Sequence, residues 1–173
     1  VKLSDTPLLT AARIRERIVE LGRDISTRYA GREIVLVVVL KGACVFAADL
    51  MRQLSVEANL QFIRARSYSG TESRGQVDIT LMPEIGVADR DVIVVEDILD
   101  TGRTTSAIME RLRGEGAMSV ALCTLLDKPS RRVVPVRAEF TGFQIDDLFV
   151  VGYGLDCDER YRCLPDVRVL LEE

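Results

Sequence analysis

Glu96, Asp97 and Asp100 stand within five residues of one another in VIVVEDILDTGRTT, residues 92–105, and the turn Thr101, Gly102, Arg103, Thr104, Thr105 follows them directly. A glycine lets backbone approach a ligand closely, and Thr hydroxyls add hydrogen-bond donors. If a helix opens here, its free N–H groups and its dipole form a cradle for phosphate. Carboxylates repel phosphate, so the three acids must serve another part of the ligand: hydroxyl groups, a divalent cation or a proton. The stretch is neither a G-x-x-x-x-G-K-[ST] loop nor a G-x-G-x-x-G fingerprint. An ordinary helix N-cap at Asp100 would account for one acid and leave Glu96 and Asp97 unexplained. A ribose phosphate offers a phosphate and vicinal hydroxyls, and an activated ribose diphosphate adds a metal-bound diphosphate.

The remaining composition narrows the chemistry. The 173 residues contain no histidine, which removes Ser-His and Cys-His nucleophiles and His-ligated metals. A general base must then be Asp, Glu, Lys, Tyr or Cys, and a bound metal should be a hard ion held by oxygen, such as Mg²⁺. The cysteines at 44, 123, 157 and 163 form no C-x-x-C pair and read as small hydrophobes or surface thiols. A net charge of −4 without a basic block argues against nucleic acid or an anionic membrane as the principal partner. The longest aliphatic run, IVLVVVL at 34–40, is too short to span a bilayer. The first twenty residues lack a basic-then-apolar signal pattern, so a cytoplasmic location is expected.

The elements that must position these groups follow from periodicity. Apolar residues at 9, 14, 18, 21 and 25 predict an amphipathic helix over 8–29, with Gly31 as its stop. The continuous β-branched run over 33–40 predicts a buried strand, followed by a helix over 44–54. Further strands are expected over 59–67, 77–82, 91–96, 120–126 and 137–143, with a helix over 104–114. The polar segment 67–76 reads as a long functional loop. Strands alternating with helices predict an α/β fold with a mainly parallel, twisted sheet. Glu96 to Asp100 would then lie where such sheets bind ligands, at the C-terminal ends of the strands. From residue 144 the alternation breaks, and a small cap is expected. The length suits one domain, 1–173, with a core over about 30–143 and a hood over about 144–173 that takes N-terminal contributions.

Five segments, in order, carry a family resemblance. VIVVEDILDTGRTT resembles the PRPP-binding motif of the type I phosphoribosyltransferases, and its E-D-I-L-D-T-G form is most similar to the hypoxanthine and hypoxanthine-guanine members. LKGA at 40–43 resembles their L-K-G loop, and RSYSG at 66–70 their mobile Ser-Tyr loop. LLDKPSRR at 125–132 resembles the strand end that carries a base-contacting lysine. FVVGYGLDCDERYRCLPDV at 149–167 resembles the C-terminal cap.

The resemblance implies a role for each matching residue. Glu96 and Asp97 would hold the ribose hydroxyls, directly or through Mg²⁺, and Asp100 would be the acid/base at N7 of the purine. Thr101, Gly102, Arg103, Thr104 and Thr105 would wrap the 5′-phosphate. Many members carry Lys or another residue in place of Arg103, a change that a backbone-built cradle tolerates. Lys41, Gly42 and Arg162 would contact pyrophosphate, with the 40–41 peptide cis. Ser67 and Tyr68 would close over the reacting centre. Lys128 would donate to the purine's exocyclic oxygen, Phe149 would stack on the ring and Val150 would read the base edge through its backbone. Asp156 would hold a second Mg²⁺ near the purine's 2-position. Read singly, each has a plainer role: a turn lysine at 128, a core aromatic at 149, a shielding Tyr68, a solvated acid at 156.

The activity so implied is Mg²⁺-dependent transfer of phosphoribosyl from PRPP to hypoxanthine or guanine, giving IMP or GMP and pyrophosphate, by a homodimer or homotetramer. An alternative on the same fold is a PRPP- or nucleotide-sensing regulator that binds nucleic acid, which the acidic balance and Asp100 oppose. Another acceptor base is a second alternative. The choice between hypoxanthine and guanine stays open at this point.

Overall fold

In the computed structural model, residues 2–67, 77–81 and 86–171 are described. Among the described residues the strands and α-helices are β1 (Lys2–Leu3), α1 (Ala11–Arg28), β2 (Ile34–Leu40), α2 (Cys44–Met51), β3 (Ala58–Ser67), β4 (Val77–Leu81), β5 (Asp91–Leu99), α3 (Arg103–Gly114), β6 (Ser119–Asp127), β7 (Phe140–Gln144), β8 (Val150–Val151) and β9 (Arg168–Leu171), with a 3₁₀ turn at Pro129–Arg131. Six strands form one sheet in the order β4-β3-β2-β5-β6-β7. All neighbours are parallel except β3 and β4.

The runs IVLVVVL and DVIVV are apolar without alternation because both faces of the sheet are covered. Ile34, Leu36, Val38, Ile93 and Val95 pack with α1 and α2. Val35, Val37, Val39, Val92 and Val94 face the side of α3. Strand order reverses between β2 and β5, whose pairing ends at Val38 and Val95. Beyond that point β2 turns away, while β5 continues beside β6 through Glu96↔Thr124, Ile98↔Leu126 and Leu99↔Asp127. The gap left between β2 and β5 is the switch-point crevice of an open α/β sheet.

Several predicted bounds move for identifiable reasons. The first helix begins at Ala11, capped by the Thr10 side chain, because Leu8 and Leu9 donate their N–H groups to Val167 O instead. The second ends at Met51, where 50–54 close into turns. The fifth strand runs three residues past 96, so Glu96 and Asp97 sit within it. The seventh starts at Phe140, because Val133 and Val134 donate to Thr101 O and Val136 O accepts from Arg132.

A second, smaller sheet, β1-β9-β8, joins the chain's two ends in antiparallel register, with Leu3 opposite Leu170 and Val150 opposite Val169. Arg168 Nη1 fastens it by donating to the carbonyls of Ser4 and Asp5. No described helix is long and apolar enough to cross a membrane.

Candidate active site

Glu96 and Asp97 lie on the part of β5 that has lost its β2 neighbour. Glu96 is buried and Asp97 half-buried. The Asp97 N–H donates to Glu96 Oε1 at 3.1 Å, and the Ile98 N–H to Asp97 Oδ1 at 2.7 Å. Burial raises the Glu96 carboxyl well above the usual carboxylate range, and the adjacent Asp97 charge adds to the effect. Burial raises Asp97 as well, opposed by its hydrogen bonds and by the positive charge of Arg162.

These shifts have a stability consequence. A carboxyl whose folded pKa is raised favours the fold at pH values below its unfolded pKa, and that contribution is lost as pH rises through the folded value. Glu96→Gln should therefore raise the melting temperature at neutral and alkaline pH. The gain should shrink toward zero as pH falls below about 4, where both side chains are neutral. Melting curves across that range check the sign; a gain that does not depend on pH would contradict it.

Asp100 follows the strand and is half exposed. It does not cap the next helix. The N-cap of α3 is Gly102 at φ +82°, which has no side chain to cap it. The Arg103 N–H donates to Thr101 Oγ1 at 3.4 Å, and the N–H groups that follow it in the first turn are left to a ligand. A side chain at 102 would be strained at that φ and would crowd Arg132 and Val134. Glu96, Asp100, Thr101, Gly102, Thr104 and Thr105 border one cleft of about 200 Å³, floored by Val39, Ile98 and Ala65. Arg103 contributes backbone to this turn while its side chain is exposed.

The turn after β2 approaches the acids from the other side. The Leu40–Lys41 peptide is cis. Gly42 sits so close to Asp97 that a Cβ there would overlap its carboxylate. Lys41 Nζ reaches out 2.9 Å to Glu159. Arg162 pairs with Asp156 at 2.8 Å and donates to Gly154 O at 2.7 Å. Asp156 Oδ2 accepts from the Glu159 N–H. Asp156 thus lies in the hood's own ion-pair cluster, and among the described residues no three acidic or cysteine side chains gather to hold a metal.

Lys128 is buried at the end of β6, its N–H donating to Leu99 O and its ammonium 3.7 Å from Asp147. Phe149 is 55% exposed, which rules out the plainer role of a core aromatic and leaves a ring face open. Val150 beside it is buried in β8. Ser67 ends β3, whereas Tyr68 and the rest of the predicted 67–76 loop lie outside the described residues.

Sequence reasoning passed over two arginines. Arg131 Nε lies 3.1 Å from Asp100 Oδ1 and 3.7 Å from Asp147. A chain of charges therefore runs Lys128–Asp147–Arg131–Asp100. Arg132 donates to the carbonyls of Leu99, Asp100 and Val136 and pairs with Asp127, pinning the backbone from which Asp100 projects. Both belong to LLDKPSRR, and the signal was their position straight after the Lys-Pro turn of a strand end.

A glycine turn opening a helix beside neighbouring carboxylates at a sheet's switch point is the arrangement expected of a type I phosphoribosyltransferase. Residues 7–158 match the phosphoribosyl transferase domain model. The chain is 47% identical over 171 residues to the hypoxanthine phosphoribosyltransferase of Salmonella typhimurium, covering 96% of each. It is 40% identical over 164 residues to the hypoxanthine-guanine phosphoribosyltransferase of Bacillus subtilis, covering 94% of this chain and 91% of the other. The crystal structure of a Bacillus anthracis hypoxanthine-guanine phosphoribosyltransferase superposes with a TM-score of 0.93 at 40% identity, over 98% of this chain and 100% of that one. The chain belongs to the phosphoribosyltransferase family, in the branch of these hypoxanthine and hypoxanthine-guanine relatives.

Proposed function

We propose that the chain is a purine-salvage enzyme that transfers the 5-phosphoribosyl group from PRPP to hypoxanthine or guanine, giving IMP or GMP and pyrophosphate. The observation that carries this reading is one cleft bordered by Glu96, Asp100 and the turn residues Thr101, Gly102, Thr104 and Thr105, with Asp97 next to Glu96 on the same strand. The turn suits the 5′-phosphate, the carboxylate pair the ribose, and Asp100 the base.

Cleaving the anomeric bond develops oxocarbenium character. Glu96 and Asp97 face that charge and stabilise it. Their hard oxygen donors fit Mg²⁺, with water and ligand oxygens completing its shell. Bound there, Mg²⁺ would neutralise the leaving pyrophosphate. Lys41, Gly42 and Arg162 lie on the side from which pyrophosphate would depart, and Asp156 would assist a second ion. Asp100 accepts the N7 proton as the new C–N bond forms. Ser67 and Tyr68 would shield the centre from water. Phe149 offers its exposed face to the ring, Lys128 its ammonium to the 6-oxygen, and Val150 its backbone to the base edge. We place the enzyme in the cytoplasm, consistent with four free cysteines, as a homodimer or homotetramer whose mass light scattering would establish.

Competition among hypoxanthine, guanine, xanthine and adenine, with PRPP and Mg²⁺, tests the substrate assignment. The 6-oxopurines should be used and adenine rejected. Lys128→Ala should erode that preference by about 10- to 100-fold, the effect of leaving a substrate oxygen without its donor. An unchanged ratio of hypoxanthine to adenine use would remove Lys128 from base selection.

A further inference from the structure

We infer that Tyr153 and Asp49 form a positioning pair through which the hood sets the turn at residues 40–43; this rests on the proposed phosphoribosyl transfer, in which that turn meets pyrophosphate. Tyr153 sits between Gly152 and Gly154, and all three residues have left-handed backbones, with φ of +98°, +50° and +99°. A tyrosine is held in that region only when its surroundings over-determine it.

Two contacts do so. Tyr153 is buried as a residue, and its hydroxyl donates to Asp49 Oδ2 at 2.5 Å in a part-buried hydrogen bond. Asp49 lies in α2, the helix that opens directly after the turn. Burial, reinforced by the Asp49 carboxylate, raises the phenol above its ordinary range and keeps it a donor. The next residue, Gly154, presses on the turn itself: a Cβ there would overlap the carbonyl of Gly42. Gly42 in turn abuts the Asp97 carboxylate. One line of contact therefore runs Asp49–Tyr153–Gly154–Gly42–Asp97, from α2 through the hood to the acidic end of β5. Arg162 joins it by donating to Gly154 O.

A ring alone would fill the space beside α2. A hydroxyl aimed at a carboxylate also fixes the rotation of the 152–154 bend, and with it the pressure on Gly42. Asp49 keeps Arg52 as a second partner, so loss of the tyrosine hydroxyl leaves its carboxylate paired and the fold intact.

The test is steady-state kinetics in both substrates, with calorimetric titration of Mg²⁺-pyrophosphate, for Tyr153→Phe, Asp49→Ala and Asp49→Asn. Tyr153→Phe and Asp49→Ala should raise the KM for PRPP and the Kd for pyrophosphate about three- to tenfold, the worth of one net hydrogen bond. The KM for hypoxanthine should hold. Asp49→Asn retains an acceptor and should restore near-wild-type values; the Ala and Asn comparison carries the test even if Tyr153→Phe folds poorly. Parallel rises in both KM values, unchanged pyrophosphate affinity, or no rescue by Asn would overturn the pair. If the wild-type protein forms no nucleotide while pyrophosphate affinity still responds to these substitutions, the proposed activity fails and the positioning pair stands.

Discussion

Asp100→Asn should lower kcat by about 10²- to 10⁴-fold while leaving the affinity for PRPP close to wild type. The substitution preserves shape. Arg132 holds the Asp100 carbonyl at 3.0 Å, so the backbone stays in place, and an amide oxygen can still accept from Arg131. What is lost is the ability to take the N7 proton from the base. With no histidine in the chain, and with Glu96 and Asp97 assigned to the ribose in the proposed mechanism, no other described residue of the cleft is expected to serve as the base. In the proposed mechanism phosphate and ribose contacts come from other residues, so PRPP binding should survive. Turnover near the wild-type rate would remove Asp100 from the proton-transfer role.

Gly42→Ala should raise the KM for PRPP by roughly 10- to 100-fold, with a much smaller change for hypoxanthine. The added Cβ would overlap the Asp97 carboxylate, which the Ile98 N–H holds at 2.7 Å. Gly154 closes off retreat in the other direction by packing on the Gly42 carbonyl. Either the turn or the carboxylate must move, and displacements of about 1 Å at a reacting centre cost on the order of 10²-fold. Steady-state kinetics in both substrates measures it. An unchanged KM for PRPP would show that the turn lies off the pyrophosphate path.

The sheet was legible because its central strands are buried on both faces: the unbroken runs of β2 and β5 could be read without alternation. The turn at the start of α3 was legible as a candidate phosphate cradle because Gly102 and its threonines have little purpose in an ordinary helix start. Other features depend on partners distant in sequence. Leu8 and Leu9 belong to the helical period of α1, yet Val167 claims their N–H groups. The strand was expected to end at residue 96, because the acids Glu96 and Asp97 break the apolar run and the final residues of β5 pair on one side only. Hood strands of two residues, such as β1 and β8, leave no periodic trace. Arg131 meets Asp100 only because a single 3₁₀ turn, Pro129–Arg131, folds the chain back. The pairing of Tyr153 with Asp49 spans 104 residues.

Arg131 pairs with Asp100, the carboxylate proposed to meet the purine, so base binding would displace an exposed ion pair, worth at most about 1 kcal/mol. That cost is small against the interactions a bound purine nucleotide makes. The three tasks proposed for EDILDTGRTT are therefore compatible with one another: phosphate at the turn, ribose at the acid pair, base at Asp100.

Incubating the protein with PRPP, Mg²⁺ and hypoxanthine, and counting products, tests this most directly. IMP and pyrophosphate should appear in equal amounts, with PRPP left intact when the base is omitted. Binding of PRPP without formation of IMP would contradict the account.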